Sequence, residues 1–139
     1  MSTAEGSALK LTHTVRTAKA VDQAARDVEA SLAKRKFSVL WALDVNRTLA
    51  DKGLELRGGQ FRILEVCSAP RAKEALETNP LVANLLPCKV TVHEREGGTE
   101  IGLPLPTALI GLLGDPRLRT LAEEVERAML EAIEEAAAS

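Results

Sequence analysis

The fold class predicted is α+β: an antiparallel sheet of four to six strands covered by helices in a two-layer sandwich, filling residues 9–139 behind a disordered tail at residues 1–8. Three observations carry it. Alternating apolar and polar residues near both ends of the first third mark half-buried strands. Apolar residues at helical spacing mark residues 21–32 and 118–133 as helices with one covered face. Between residues 61 and 93, one apolar strand ends at Cys67 and another opens at Cys88, joined by a crossover punctuated with prolines.

The first strand is read from Leu9, Leu11, His13 and Val15 on one face and Lys10, Thr12, Thr14 and Arg16 on the other. His13 therefore falls on the apolar face. Thr17 is placed to cap a helix of about four turns, whose stripe is Val21, Ala24, Ala25, Val28 and Leu32 and whose end carries Lys34, Arg35 and Lys36, where the helix dipole favours cations. Phe37 to Val45 reads as a second strand, with Val39, Trp41, Leu43 and Val45 on one face and Leu40, Ala42 and Asp44 on the other. Apolar groups on both faces predict a central position, or one face against a partner. Residues 46–59 are polar and glycine-bearing and leave open a short helix or an edge strand.

Phe61, Ile63, Leu64 and Val66 form the strand ending at Cys67. Pro70 suits a helix start because its missing N–H is harmless there, and Ala72, Ala75 and Leu76 follow at helical spacing. Asn79-Pro80 repeats the start signal, Leu81, Val82, Leu85 and Leu86 give apolar cover, and Pro87 ends the turn. If the two flanking strands are antiparallel neighbours, Cys67 and Cys88 meet at one edge. Lys89 to Glu94, Gly97-Gly98 and Thr99 to Leu103 read as a hairpin. Residues 101–114, IGLPLPTALIGLLG, carry no charge and are too short for a membrane helix, so they either roof the core or dock on another subunit. Asp115-Pro116 opens a long helix with Leu118, Leu121, Ala122, Val125, Met129 and Ile133 as its buried stripe.

The stretch from Cys67 to Val92 resembles the domain-of-unknown-function family 302, found mostly in bacteria and archaea. The matching pieces are Cys67 with Pro70, Ala72 to Leu76, Asn79-Pro80, Leu86-Pro87-Cys88 and Val90-Thr91-Val92, and the likeness runs from about residue 20 onward. Two places depart from the family's pattern: Ser68-Ala69-Pro70 stands where Asn-Pro usually follows the cysteine, and Glu65 stands where a small residue is common. The resemblance implies an α+β domain with an antiparallel sheet and no established activity.

Composition removes several function classes. With 139 residues, 45% of them hydrophobic, the chain suits one domain with one core. The 18 basic and 20 acidic residues leave a formal charge of −2, and only Phe37, Trp41 and Phe61 are aromatic. Such a chain lacks both the basic excess and the stacking platform of a nucleic-acid binder. The small, polar first residues are neither a signal peptide nor a membrane span, so a cytoplasmic protein with reduced cysteines is expected.

The candidate chemistry is sparse. Cys67 precedes a helix start, where unpaired N–H groups favour a thiolate, while Glu65 on the same face opposes one. The alternative is that Cys67 and Cys88 are small buried hydrophobes. A metal ligand set would draw on Cys67, Cys88, His13, His93 and carboxylates without any CxxC or HxxxH spacing. Alternation puts His93 opposite to Cys88 and leaves His13 as the better partner, against the usual hydrogen-bonded core histidine. Asp44 is a general-base candidate if its strand end opens into a pocket, and otherwise a strand-end cap. Arg117 and Arg119 sit in the first turn of the last helix, against the dipole preference, and form either an anion site or a solvated face. No P-loop, GxGxxG, nucleophile elbow or HExxH occurs. Three functions follow as expectations: first, a non-enzymatic binding or accessory domain with a small-molecule or metal ligand near Cys67 and Cys88; second, a thiol redox enzyme or sensor; third, a structural dimerisation module. A homodimer with its contact near residues 101–114 is expected in each case.

Overall fold

A computed structural model describes residues 10–138, so the expected tail at residues 1–8 and Leu9 lie outside the described residues. One five-stranded antiparallel sheet runs β1-β5-β4-β3-β2, built from β1 (Thr12–Thr17), β2 (Ser38–Asp44), β3 (Phe61–Cys67), β4 (Cys88–Arg95) and β5 (Gly98–Pro104). Five helices accompany it: α1 (Val21–Ala33), α2 (Val45–Ala50), α3 (Ala69–Thr78), α4 (Pro106–Gly111) and α5 (Arg119–Ala138). The α+β class and the strand count agree with the sequence reading.

Helices α1 and α5 lie side by side on one face of the sheet and enclose the core. Val28, Leu32, Val66, Val90, Val92, Ile101, Met129 and Ile133 have no measurable exposure there. Burying side chains of this size stabilises by about 1.5–3 kcal/mol each before the entropy of ordering is counted. Ser31 joins the two helices. Its hydroxyl reaches the Ala132 carbonyl oxygen at 2.9 Å and the Glu135 carboxylate at 2.5 Å, beside Arg35 at 3.2 Å from the same oxygen. The N-cap of α1 is Ala20, which has no side chain to offer; Thr17 instead closes β1, its hydroxyl accepting from the Lys19 N–H at 3.3 Å.

Strand β2 is an edge strand, which removes the central position from the two placements expected. The register passes from Val39 opposite Val66 to Trp41 opposite Glu65, so Leu40 is an extra residue in a bulge. The bulge splits Val39, on the helix-covered face with Val66, from Trp41, on the opposite face with Glu65. Leu40 and Trp41 remain 59% and 53% exposed, so the apolar groups on both faces reflect an open edge, not double burial. Val45 begins α2 instead of extending the strand. Asn46 then ties the polar loop back, its amide nitrogen donating to the Gly59 carbonyl oxygen and its oxygen accepting from the Phe61 N–H, both at 2.8 Å.

Strand β4 pairs with β5, as the hairpin pattern predicts, and β3 pairs with β4, the arrangement the sequence left as a condition. The β4–β5 turn is Glu96-Gly97, both at positive φ, one residue earlier than the glycine pair indicated. Between β3 and β4 lie α3 and a 3-10 turn at Pro80–Asn84, which Asn79 caps through its side-chain oxygen and the Leu81 N–H at 3.0 Å. The uncharged segment roofs the core. Helix α4 rests on α5, held where the Thr107 hydroxyl donates to Glu126 at 2.6 Å and the Thr107 N–H to the same oxygen at 3.0 Å.

Candidate functional site

The register puts Val66 directly opposite Cys88, so β3 and β4 are the adjacent antiparallel strands that bring the two cysteines to one edge. Cys88 shares the helix-covered face with Val66 and Val90. Cys67, one residue further along β3, lies on the opposite side of the pleat but at the strand's last position, where the chain turns into α3. Both therefore border one pocket of about 40 Å³ where β3 ends and β4 begins, walled by Phe37, Val66, Val82, Leu86 and Ile110. Helix α3, the 3-10 turn, α4 and α5 all contribute to that wall. A second small apolar depression of about 70 Å³ shares Leu86, Cys88 and Ile110 with it.

The thiols are free and held in their neutral form. Burial pushes Cys88 up to about 11, Cys67 nearby adds to the rise, and Lys89 only partly offsets it. Burial also raises Cys67. Desolvation thus outweighs the helix start at Cys67. Glu65, on the outer face with Cys67, is held by Lys89 at 3.2 Å.

Two residues at this pocket went unnoticed as site residues in the sequence. Ser68 is the N-cap of α3 yet makes no side-chain capping bond, and it is only 5% exposed. Its carbonyl oxygen accepts from the Ala72 N–H at 2.8 Å, while its hydroxyl, on the core side of the chain after Val66, has no hydrogen-bond partner among the described residues. Arg71 lies one helical turn on, its guanidinium carbon 5.8 Å from the centre of the Phe37 ring. No carboxylate pairs with Arg71 among the described residues. The only usable signal was the serine ahead of Ala69-Pro70, a helix-start pattern.

The remaining candidates are dispersed. His13 lies on β1, separated from β4 by β5, and its Nε2 meets Glu134 of α5 at 3.2 Å. His93 stacks on Phe61 with ring centres 4.5 Å apart and meets Glu100 at 3.3 Å. Among the described residues no three His, Cys, Asp or Glu side chains are grouped to hold a metal ion. Asp44 caps α2, accepting from the Arg47 N–H at 3.1 Å, and lies 3.6 Å from Arg62, whose other end reaches Asp22 at 2.7 Å. That pairing leaves the buried Arg62 Nε without a true hydrogen bond. Arg117 folds back on Asp115 at 2.7 Å and holds that carboxyl well below the usual range. Arg119 instead lines a separate open hollow of about 340 Å³ shared with Asp115 and Glu123, so the two arginines do not converge.

The family model for the domain of unknown function DUF302 matches residues 13–136. A crystal structure of an uncharacterized conserved DUF302 protein from Bacillus stearothermophilus is similar, with a TM-score of 0.87 and 34% identity, covering 92% of this chain and 99% of that one. No curated protein matches the sequence.

Proposed function

Because the chain belongs to the DUF302 family of domains of unknown function, we propose, within that family, a non-enzymatic binding module whose small-molecule ligand enters the pocket bordered by Cys67 and Cys88. The observation carrying this reading is the pairing of two neutral thiols with an apolar wall at the shared end of β3 and β4. In their thiol form the cysteines act as soft, polarizable surface, not as nucleophiles. A redox role would need one lowered thiol, and both are raised. A metal ligand would need a third donor, and neither His13 nor His93 approaches the pair. An apolar lining with few polar groups is the usual composition of a small-molecule site.

The test is protein-observed NMR with a short neutral alcohol such as butanol. Binding should shift the amide signals of Val66 to Ala72 and of Ile110 saturably, survive Cys67→Ser, and disappear in Ala75→Leu, which fills the pocket from α3. Unmoved signals at every concentration up to the solubility limit would sink the reading.

We also propose a cytoplasmic homodimer. Two free cysteines fit a reducing compartment. No helix among the described residues is long and apolar enough to cross a membrane. For the dimer, the exposed Leu40 and Trp41 on the open edge of β2 favour a contact there over residues 101–114, whose apolar groups largely face the core. Light scattering on Trp41→Glu should then report a monomer where the natural chain reports a dimer.

A further inference from the structure

We propose that the pocket's mouth is an anion subsite, so that its ligand is a small carboxylate with a short apolar tail; this rests on the pocket being a binding site at all. Charge is one-sided there. Among the described residues, Arg71 is the only charged one lining the pocket, and no carboxylate lines it. The start of α3 adds to the positive field. Pro70 has no N–H and the Ala72 N–H is spent on the Ser68 carbonyl, which leaves the N–H groups of Ala69 and Arg71 without partners among the described residues.

A helix start alone is a common feature. What distinguishes this one is Ser68, a residue only 5% exposed that lines the pocket and whose hydroxyl makes no bond to its own helix. A serine at this position would ordinarily cap the helix it precedes, and this one leaves its hydroxyl open to an incoming acceptor. An anion at the mouth accepts from the Ser68 hydroxyl, from the free N–H groups and from the Arg71 guanidinium, which Phe37 supports from below.

The interior sets the tail. A space of about 40 Å³ admits on the order of three or four non-hydrogen atoms beyond the mouth, and its lining from Val66, Val82, Leu86 and Ile110 offers them no hydrogen bond. A carboxylate of the size of butyrate meets both requirements. Inorganic phosphate meets the first alone and butanol the second alone.

The experiment compares butyrate, butanol and inorganic phosphate by NMR titration on the natural chain, Ser68→Ala and Arg71→Gln, each checked as folded by its spectrum. Butyrate should bind most tightly, and each variant should weaken butyrate about tenfold, the loss of one charge-assisted hydrogen bond, while leaving butanol unchanged. Equal binding of butyrate and butanol, or variants that leave butyrate unmoved, would overturn the anion subsite and keep the pocket. Phosphate binding as tightly as butyrate would overturn the apolar tail. If neither butyrate nor butanol moves the pocket signals, the binding reading falls together with the subsite.

Discussion

Replacing Cys88 by serine measures directly how dry the pocket is. Cys88 stands between Val66 across the strand and Leu86 and Ile110 above it, and burial lifts its thiol from an ordinary 9.0 to about 11. At 1.36 kcal/mol per pKa unit, that rise corresponds to about 2–3 kcal/mol against ionising the thiol. The figure is an upper one, because the pocket rim leaves Cys88 partly accessible. Serine introduces a hydroxyl that finds no acceptor among those apolar neighbours, at a cost of about 1–3 kcal/mol. Cys67→Ser, at the more open strand end, should cost well under 1 kcal/mol. Urea unfolding of both variants at neutral pH reads the difference, provided the slope is unchanged.

The same group predicts a dependence on alkaline pH whose sign follows from the raised value. The thiol ionises at a lower pH in the unfolded chain than in the folded one, so its contribution is fully present below about 9 and is lost as pH climbs toward 11. Natural protein should therefore lose stability across that window faster than Cys88→Ala. If Cys88→Ser costs no more than Cys67→Ser, or the two alkaline curves run parallel, Cys88 is solvated and the dry-pocket account is wrong.

Two other perturbations follow from the packing. Ser31→Ala should cost about 1 kcal/mol through the lost bond to the Ala132 carbonyl, read by thermal or urea unfolding. Bonds from Ser31, then Arg35 and Lys34, hold the Glu135 carboxyl at about 2 against an ordinary 4.5, so its support is present above 4.5 and fades as pH falls toward 2. The gap between natural protein and Ser31→Ala should narrow over that range, and a constant gap would refute the assignment. Gly59→Ala should destabilise by about 1–2 kcal/mol, because Gly59 has a φ of +96° and the added carbon would lie 2.6 Å from the Glu94 carboxylate that accepts from the Gln60 N–H. Equal stability of the two proteins would show that the loop before β3 relaxes freely.

The parts of the fold legible in the sequence are those set by short-range chemistry. Proline and asparagine punctuate the crossover between Cys67 and Cys88, and the valines of β4 alternate cleanly, so the helix starts and the strands were readable, while the adjacency that makes the cysteines meet is a long-range pairing the sequence left as a condition. Strand β2 was not. A single extra residue at Leu40 reverses which face every later side chain takes, and a bulge leaves no compositional mark. Asp44 shows a related failure: an aspartate ending an apolar run reads equally as a strand-end acid and a helix cap, and only the turn at Val45 decides. Ser68 and Arg71 escaped for a different reason. Their significance lies in what is missing around them, a capping bond and a carboxylate, and absence of partners is a property of the assembled edge.

The uncharged segment shows how the roof and the pocket are one construction. Ile101 and Leu103 fill the core from β5, after which Pro106 starts a helix too short to be stable alone and therefore dependent on its contacts. Thr107 supplies the polar anchor on Glu126, and Ile110 reaches the pocket at Cys67 and Cys88, the depression beside Pro87 and the hollow at Arg119. A charged residue at Ile101, Leu103 or Pro106 would have to be desolvated, which explains the apolar character of those positions; Leu112, 71% exposed, is not held apolar by burial.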